Sequence, residues 1–274
     1  MKKQEFRNIF IILFLFTVLK GDLIMSPIEN NINNKTDAVK ITVIYDNNPT
    51  TMDLQTDWGF ACLIEIDKNK ILFDTGDNGI ILMKNMEKLG IDPKSIDLII
   101  LSHFHHDHTG GLEDFLKANS NVKVYYLKSF PGDIVNVIKH SGAEAVPVSE
   151  FMEILPDVFT LGEIQGDIPE QSLAVRSPEG IVIITGCAHP GIINILQRAK
   201  SEFADELIYL AIGGFHLHRL NEDKISEVIQ KMFDMKILSV APTHCSGTTA
   251  RHMFKEKFDA DYVEVGVGKV INIK

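Results

Sequence analysis

Apolar positions in this chain of 274 residues fall into short runs that alternate between two periods. ITVIYD (41–46), FACLIEID (60–67) and KILFDTG (70–76) are β-branched or apolar runs closed by turn residues, which predicts three strands. GIILMKNMEKLG (79–90) has helical spacing and stops at Gly90. IDLIILSH (96–103) reads as a buried strand, GGLEDFLKAN (110–119) as a helix, KVYYLK (123–128) as a strand and DIVNVIKHSG (133–142) as a helix. The second half repeats the texture. SLAVRS (172–177) and GIVIITG (180–186) predict a hairpin, and GIINILQRAK (191–200) a helix. ELIYLAIGG (206–214) and KILSVAPTH (236–244) predict strands on either side of the helix EDKISEVIQKMFDM (222–235). DYVEV and KVINI close the chain as a last short pair. Two β-rich layers with helices outside them make an α/β four-layer αββα sandwich, which satisfies the rule that each apolar face must be covered.

Polar residues that end buried strands project into a cleft at the sheet edge, where α/β folds place their sites. Five such ends carry ligand-type side chains. Asp74 ends one strand; His103, His105, Asp107 and His108 follow the next; Cys187 and His189, then His216 and His218, then His244 and Cys245 follow three later ones. Imidazole and carboxylate suit zinc, iron or manganese. His103 and His105 are two residues apart and face the same way in extended backbone. Asp107 and His108 are adjacent and diverge, which suits a second metal ion; two ions ~3.5–4 Å apart activate a shared water. His140, His218 and His252 stand alone and read as surface or hydrogen-bonded histidines. Asp74 reads equally as a turn aspartate or as a carboxylate that orients a metal histidine.

Net charge of −10 and a pI near 5.5 give phosphate backbones no electrostatic attraction, so nucleic acid is not the expected partner and a small molecule is. Three cysteines, Cys62, Cys187 and Cys245, make no disulfide framework. The N-terminus has a basic start and an apolar run over residues 9–19, short of the ~20 residues of a membrane span but like the core of a secretory signal. Residues 1–24 are therefore expected to export or anchor the protein, with membrane attachment through 9–19; translation from Met25 would instead leave it cytoplasmic. Residues 25–40 are polar and Asn-rich and read as a flexible linker before a domain over 41–274.

SHFHHDHTGGL (102–112) resembles the defining motif of the metallo-β-lactamase superfamily, and FDTG (73–76) the short motif before it. TGCAHPGI, GGFHL and PTHCSG, in that order, resemble the branch of dihydropterin-ribofuranosylaminobenzene phosphate synthase-like proteins. The resemblance implies an αββα fold with two divalent metals, zinc before iron or manganese, at one edge. It implies His103 and His105 on one metal, and Asp107, His108 and His244 on the other. His189 is the preferred third ligand of the first. Cys187 stands where many relatives carry a bridging aspartate, either as a soft ligand or as a buried thiol, which weakens the expectation of a second ion. Asp167 falls near the place of a loop histidine.

Three functions remain open. The first is a hydrolase that uses a metal-bound hydroxide, positioned by Asp107, on a small ester or phosphoester, with His216 as a substrate or acid–base group. The second is a synthase-like transferase that displaces pyrophosphate. The third is a non-catalytic metal- or ligand-binding protein.

Overall fold

Strands form where the apolar runs are flanked by turns. β1 (Val39–Asp46), β2 (Phe60–Ile66), β3 (Asn69–Phe73), β4 (Leu98–Ile100), β5 (Lys123–Leu127) and β6 (Glu144–Val148) come from the first half of the chain, interleaved with α1 (Gly79–Lys88), α2 (His106–Thr109), α3 (Leu112–Ala118) and α4 (Gly132–Ser141). The second half supplies β7 (Met152–Leu155), β8 (Val158–Thr160), β9 (Leu173–Ser177), β10 (Gly180–Thr185), β11 (Ile208–Gly214) and β12 (Ser239–Thr243), with α5 (Ile192–Glu202), α6 (Glu222–Asp234) and α7 (Thr248–Phe258). β13 (Val270–Ile273) returns to the first half and pairs with β1. The structure, a computed structural model, describes residues 38–204 and 206–274. The signal-like segment 1–24 and the apolar run 9–19 lie outside the described residues. Among the described residues no helix is long and apolar enough to cross a membrane.

One sheet has the order β13-β1-β2-β3-β4-β5-β6 and the other β12-β11-β10-β9-β8-β7. Strands β9 to β12 of the second sheet are buried on both faces, and alternation decides which core each residue joins. Leu173, Val175, Val182, Ile184, Leu210 and Ile212 pack into the core shared with the first sheet. Ala174, Ile181, Ile183, Ile208 and Ala211 point the other way, toward α5, α6 and α7. α1, α3 and α4 cover the outer face of the first sheet through Leu82, Met86, Leu112, Phe115 and Ile138. The architecture is the expected αββα sandwich. The parallel stretch β3-β4-β5-β6 and the parallel trio β10-β11-β12 bring the C-terminal ends of several strands to one edge.

Several elements differ from expectation. The strand read over 96–103 keeps ladder pairing only at Leu98–Ile100. Beyond it the Ser102 N–H donates to the Asp74 carboxylate and the Ser102 carbonyl accepts from Gln171, so side chains and a distant loop replace a neighbouring strand. The helix expected over 110–119 begins at Leu112, after a separate one-turn helix that carries Asp107 and His108. β6, β7 and β8 were not expected. DYVEV is not a strand; Tyr262 makes a single bridge to Val240. β1 begins two residues inside the segment read as linker, because Val39 and Lys40 pair with Ile273 and Asn272.

Candidate metal centre

The FDTG motif builds the first support. Asp74 follows β3 with φ +57, and its buried carboxylate collects three partners: the Ser102 N–H at 2.7 Å, the Ser102 hydroxyl at 2.7 Å and His108 Nδ1 at 2.7 Å. Thr75 fixes the same turn from below, with its N–H and its hydroxyl both donating to the His108 carbonyl. The Ser102 hydroxyl, which donates to Asp74, accepts from His103 Nδ1 at 2.9 Å. Asp74 therefore orients two imidazoles. The network assigns Nδ1–H to both and turns both Nε2 atoms inward, toward His105 Nδ1 and Cys187 Sγ. Of the two readings of Asp74, the structure shows the orienting carboxylate. His244 is set the same way from the far side of the cleft, with Nδ1 2.9 Å from Asn47 Oδ1.

These supports gather the donor atoms into three overlapping groups. His103, His105 and His189 form one, Asp107, His108, Cys187 and His244 the second, and Cys187, His189 and His216 the third; within each, ligand atoms lie no more than 4.8 Å apart. Asp107 Oδ2 is 3.2 Å from His244 Nε2 and 3.6 Å from His108 Nε2. Cys187 Sγ is 3.2 Å from His108 Nε2 and belongs to two groups, so it takes the shared position between them rather than an ordinary core position. His216, expected as a substrate or acid–base group, stands with its ring 4.4 Å from that of His189, inside a donor group. His218 lies just outside, while His140 and His252 are exposed on α4 and α7. Asp167 is exposed and joins no donor group.

The carboxylate that matters in that loop is Glu170, which the sequence reading missed. Fully buried, its Oε1 accepts from the Thr185 hydroxyl and from the N–H groups of Gly186, Cys187 and Ala188 at 2.9–3.0 Å, and its Oε2 accepts from the His189 N–H at 2.8 Å. One side chain thus shapes the loop that presents Cys187 and His189. Strain concentrates here. Of eight non-glycine residues with positive φ among the described residues, Asp74, Ala188, His216 and His244 are at this site, which is where over-determined backbone is expected. Gly186 lets the loop lie against Ser102 and Asp74, which a Cβ there would strike.

The donors fit a divalent metal. His189 Nε2, His216 Nδ1 and His244 Nε2 are buried ring nitrogens with no hydrogen-bond partner, an arrangement that costs free energy unless something accepts their lone pairs. Burial disfavours charge on Asp107, but the approach of His244 and the charge of His108 outweigh it and hold the carboxyl below its usual range. Burial, then the charge of His216, takes His189 down to about 3, and burial takes His103 well below 6.5. Burial also opposes the charge on His108, yet Asp74 prevails and lifts it to about 9. These shifts set a pH signature for the metal-free chain. His103 and His189 have depressed values, so stability falls as pH drops below the unfolded value of about 6.5. The raised His108 contributes stability that is complete below about 6.5 and lost as pH rises through about 9. Melting temperature of chelator-treated protein is therefore expected to peak near pH 6.5, as about the unfolded histidine value. A flat profile from acid to alkaline pH would contradict the packing of these rings.

Comparison with known proteins agrees with the geometry. The family model described as the Metallo-beta-lactamase superfamily matches residues 59–163. A probable metallo-hydrolase of Methanocaldococcus jannaschii, MJ0888, is 36% identical over 56% of this chain and 69% of its own length. The chain belongs to the metallo-β-lactamase superfamily. Within it, the chain is similar to the 7,8-dihydropterin-6-methyl-4-(β-D-ribofuranosyl)-aminobenzene-5'-phosphate synthase of M. jannaschii, 29% identical over 86% of this chain and 97% of the relative. Among solved structures it resembles Tm1679, a metal-dependent hydrolase of the β-lactamase superfamily, with TM-score 0.70, 29% identity, and coverage of 85% of this chain and 98% of that one.

Proposed function

We propose that the protein is a metal-dependent hydrolase of a small ester or phosphoester, with two divalent ions, zinc by preference, held by the donor groups. The carrying observation is the convergence of His103, His105 and His189 beside Asp107, His108, Cys187 and His244, with Cys187 shared between the second group and His189–His216. Histidine, carboxylate and thiolate together favour zinc over magnesium or calcium. When bound, such ions lower the pKa of a coordinated water and polarise the bond it attacks.

The chain's own residues do the rest. Asp74 and Asn47 keep the ring nitrogens of His108 and His244 pointed inward. Asp107 is ionised and partly exposed, so its carboxylate accepts a hydrogen bond from an attacking water and fixes its direction. His105, His189 and His216 are only part-buried and leave the donors reachable from solvent.

A second reading is supported by the likeness to the M. jannaschii synthase over nearly all of its length. In that reading an arylamine replaces water and pyrophosphate leaves. The two are separated by running the metal-loaded protein in heavy-oxygen water with an aryl phosphoester and, in parallel, with an arylmethyl pyrophosphate plus an arylamine. Heavy oxygen in the product without any added acceptor is the expected result. Turnover that requires an arylamine and releases pyrophosphate would replace hydrolysis with transfer.

A further inference from the structure

Trp58 is the chain's one tryptophan, and it is 45% exposed. It stands at the rim of the metal centre. Its ring centroid is 4.7 Å from that of His244, inclined by 55°, and 6.0 Å from that of His218, edge to face at 72°. The backbone holds it there. Gly59, at φ +139, lets the loop run against Asp107 and Tyr45, whose carbonyl and ring a Cβ would strike. The Trp58 N–H donates to Asp57 Oδ1 at 2.8 Å. A large apolar ring fixed beside catalytic-type donors with nearly half its surface in water is an interaction surface rather than a core residue.

The neighbour of that ring carries a cation. His218 Nδ1–H donates to the Cys245 carbonyl at 3.0 Å, which leaves Nε2 to accept from Arg219 Nε–H at 3.2 Å. Among the described residues, Arg219 pairs with no carboxylate, so the rest of its guanidinium is available to a ligand. The cleft therefore has an aromatic wall beside His244 and a tethered guanidinium next to it.

We propose that Trp58, His218 and Arg219 form a recognition subsite for a planar aromatic group that carries a phosphate. The flat ring stacks on Trp58, which tolerates any aromatic face. Arg219 forks onto the phosphate oxygens, the geometry a guanidinium is built for, and His218 holds it in place. The subsite rests on the reading of the neighbouring donors as an active centre, but it is indifferent to whether water or an amine is the acceptor.

The test needs no turnover. Because Trp58 is the only tryptophan, its fluorescence reports on this subsite alone. Metal-loaded protein is titrated with phenylphosphonate and with propylphosphonate, which match in charge and resist hydrolysis, and calorimetry repeats both titrations for the variants. The phenyl compound is expected to quench Trp58 saturably and to bind about tenfold tighter than the propyl compound. Trp58→Ala removes that preference and Trp58→Phe keeps it. Arg219→Gln weakens both ligands about tenfold. Equal binding of the two ligands, or a Trp58→Ala variant that still prefers phenyl, overturns the stacking role. An Arg219→Gln variant that binds both as the parent does overturns the phosphate role. Selective binding by a protein that turns over no substrate supports the subsite and counts only against the proposed chemistry, so the two failures are distinct.

Discussion

Glu170→Ala is expected to lower the melting temperature by on the order of 10 °C and to strip metal from the protein. The substitution leaves four N–H groups and one hydroxyl in a fully buried place without their acceptor. Losing the buried partner of several donors costs roughly 3–5 kcal/mol even after relaxation. In a domain of this size each kcal/mol moves the midpoint by roughly 2–4 °C. The loss is also local. Residues 185–189 bend around that carboxylate, and they present Cys187 and His189 to all three donor groups. A loop freed from Glu170 no longer sets either side chain, so metal content is expected to fall alongside stability. Glu170→Gln separates shape from charge. Its carbonyl oxygen replaces Oε1, but its amide faces the His189 N–H with another donor, so its melting point should fall between parent and Glu170→Ala. Scanning calorimetry and elemental mass spectrometry on the three proteins decide it; an unchanged melting point for Glu170→Ala would show that water or a shifted loop satisfies those donors.

The reach of sequence reading here follows distance along the chain. His103, His105, Asp107 and His108 sit within one turn and its approach, and their spacing alone displays the chemistry. Asp74 was visible as a candidate because it ends a strand, though only its three hydrogen bonds separate an orienting carboxylate from a turn aspartate. Glu170 and Asn47 gave no signal, because Glu170 follows no apolar run, Asn47 follows β1 but carries an amide rather than a ligand-type side chain, and each meets its partners across 15 to 197 positions. A buried carboxylate outside any motif looks like a surface charge until its surroundings are known. The same locality explains the elements. β9 to β12 are buried on both faces and read as unbroken apolar runs. β6 and β7 are largely exposed, with mixed composition, and gain their pairing from neighbours rather than from their own pattern. The helix at the histidine cluster is one turn long, below what periodicity can register.

His103→Ala is expected to remove metal and activity together, while His140→Ala changes neither. His103 is fully buried, its Nδ1 committed to Ser102 and its Nε2 3.1 Å from His105 Nδ1, so no solvent or neighbouring ring can take its place. Residues that merely orient a metal ligand are worth about 10–100-fold in affinity or activity; a ligand itself is worth no less, so turnover should fall by at least about 10–100-fold. His140 is exposed on a helix that covers the far face of the first sheet, and it meets none of the donor groups. Asp107→Ala completes the set, since it belongs to the second group and not the first. Counting metals per chain in the parent and the three variants reads both groups independently. Two ions in the parent, with Asp107→Ala retaining one, is the result the two groups predict, and it makes Cys187 sufficient at the position where the family resemblance implies a bridging aspartate. One ion in the parent, lost in His103→Ala but kept in Asp107→Ala, would confine the metal to the three-histidine group and leave Asp107, Cys187 and His244 to act on the substrate directly.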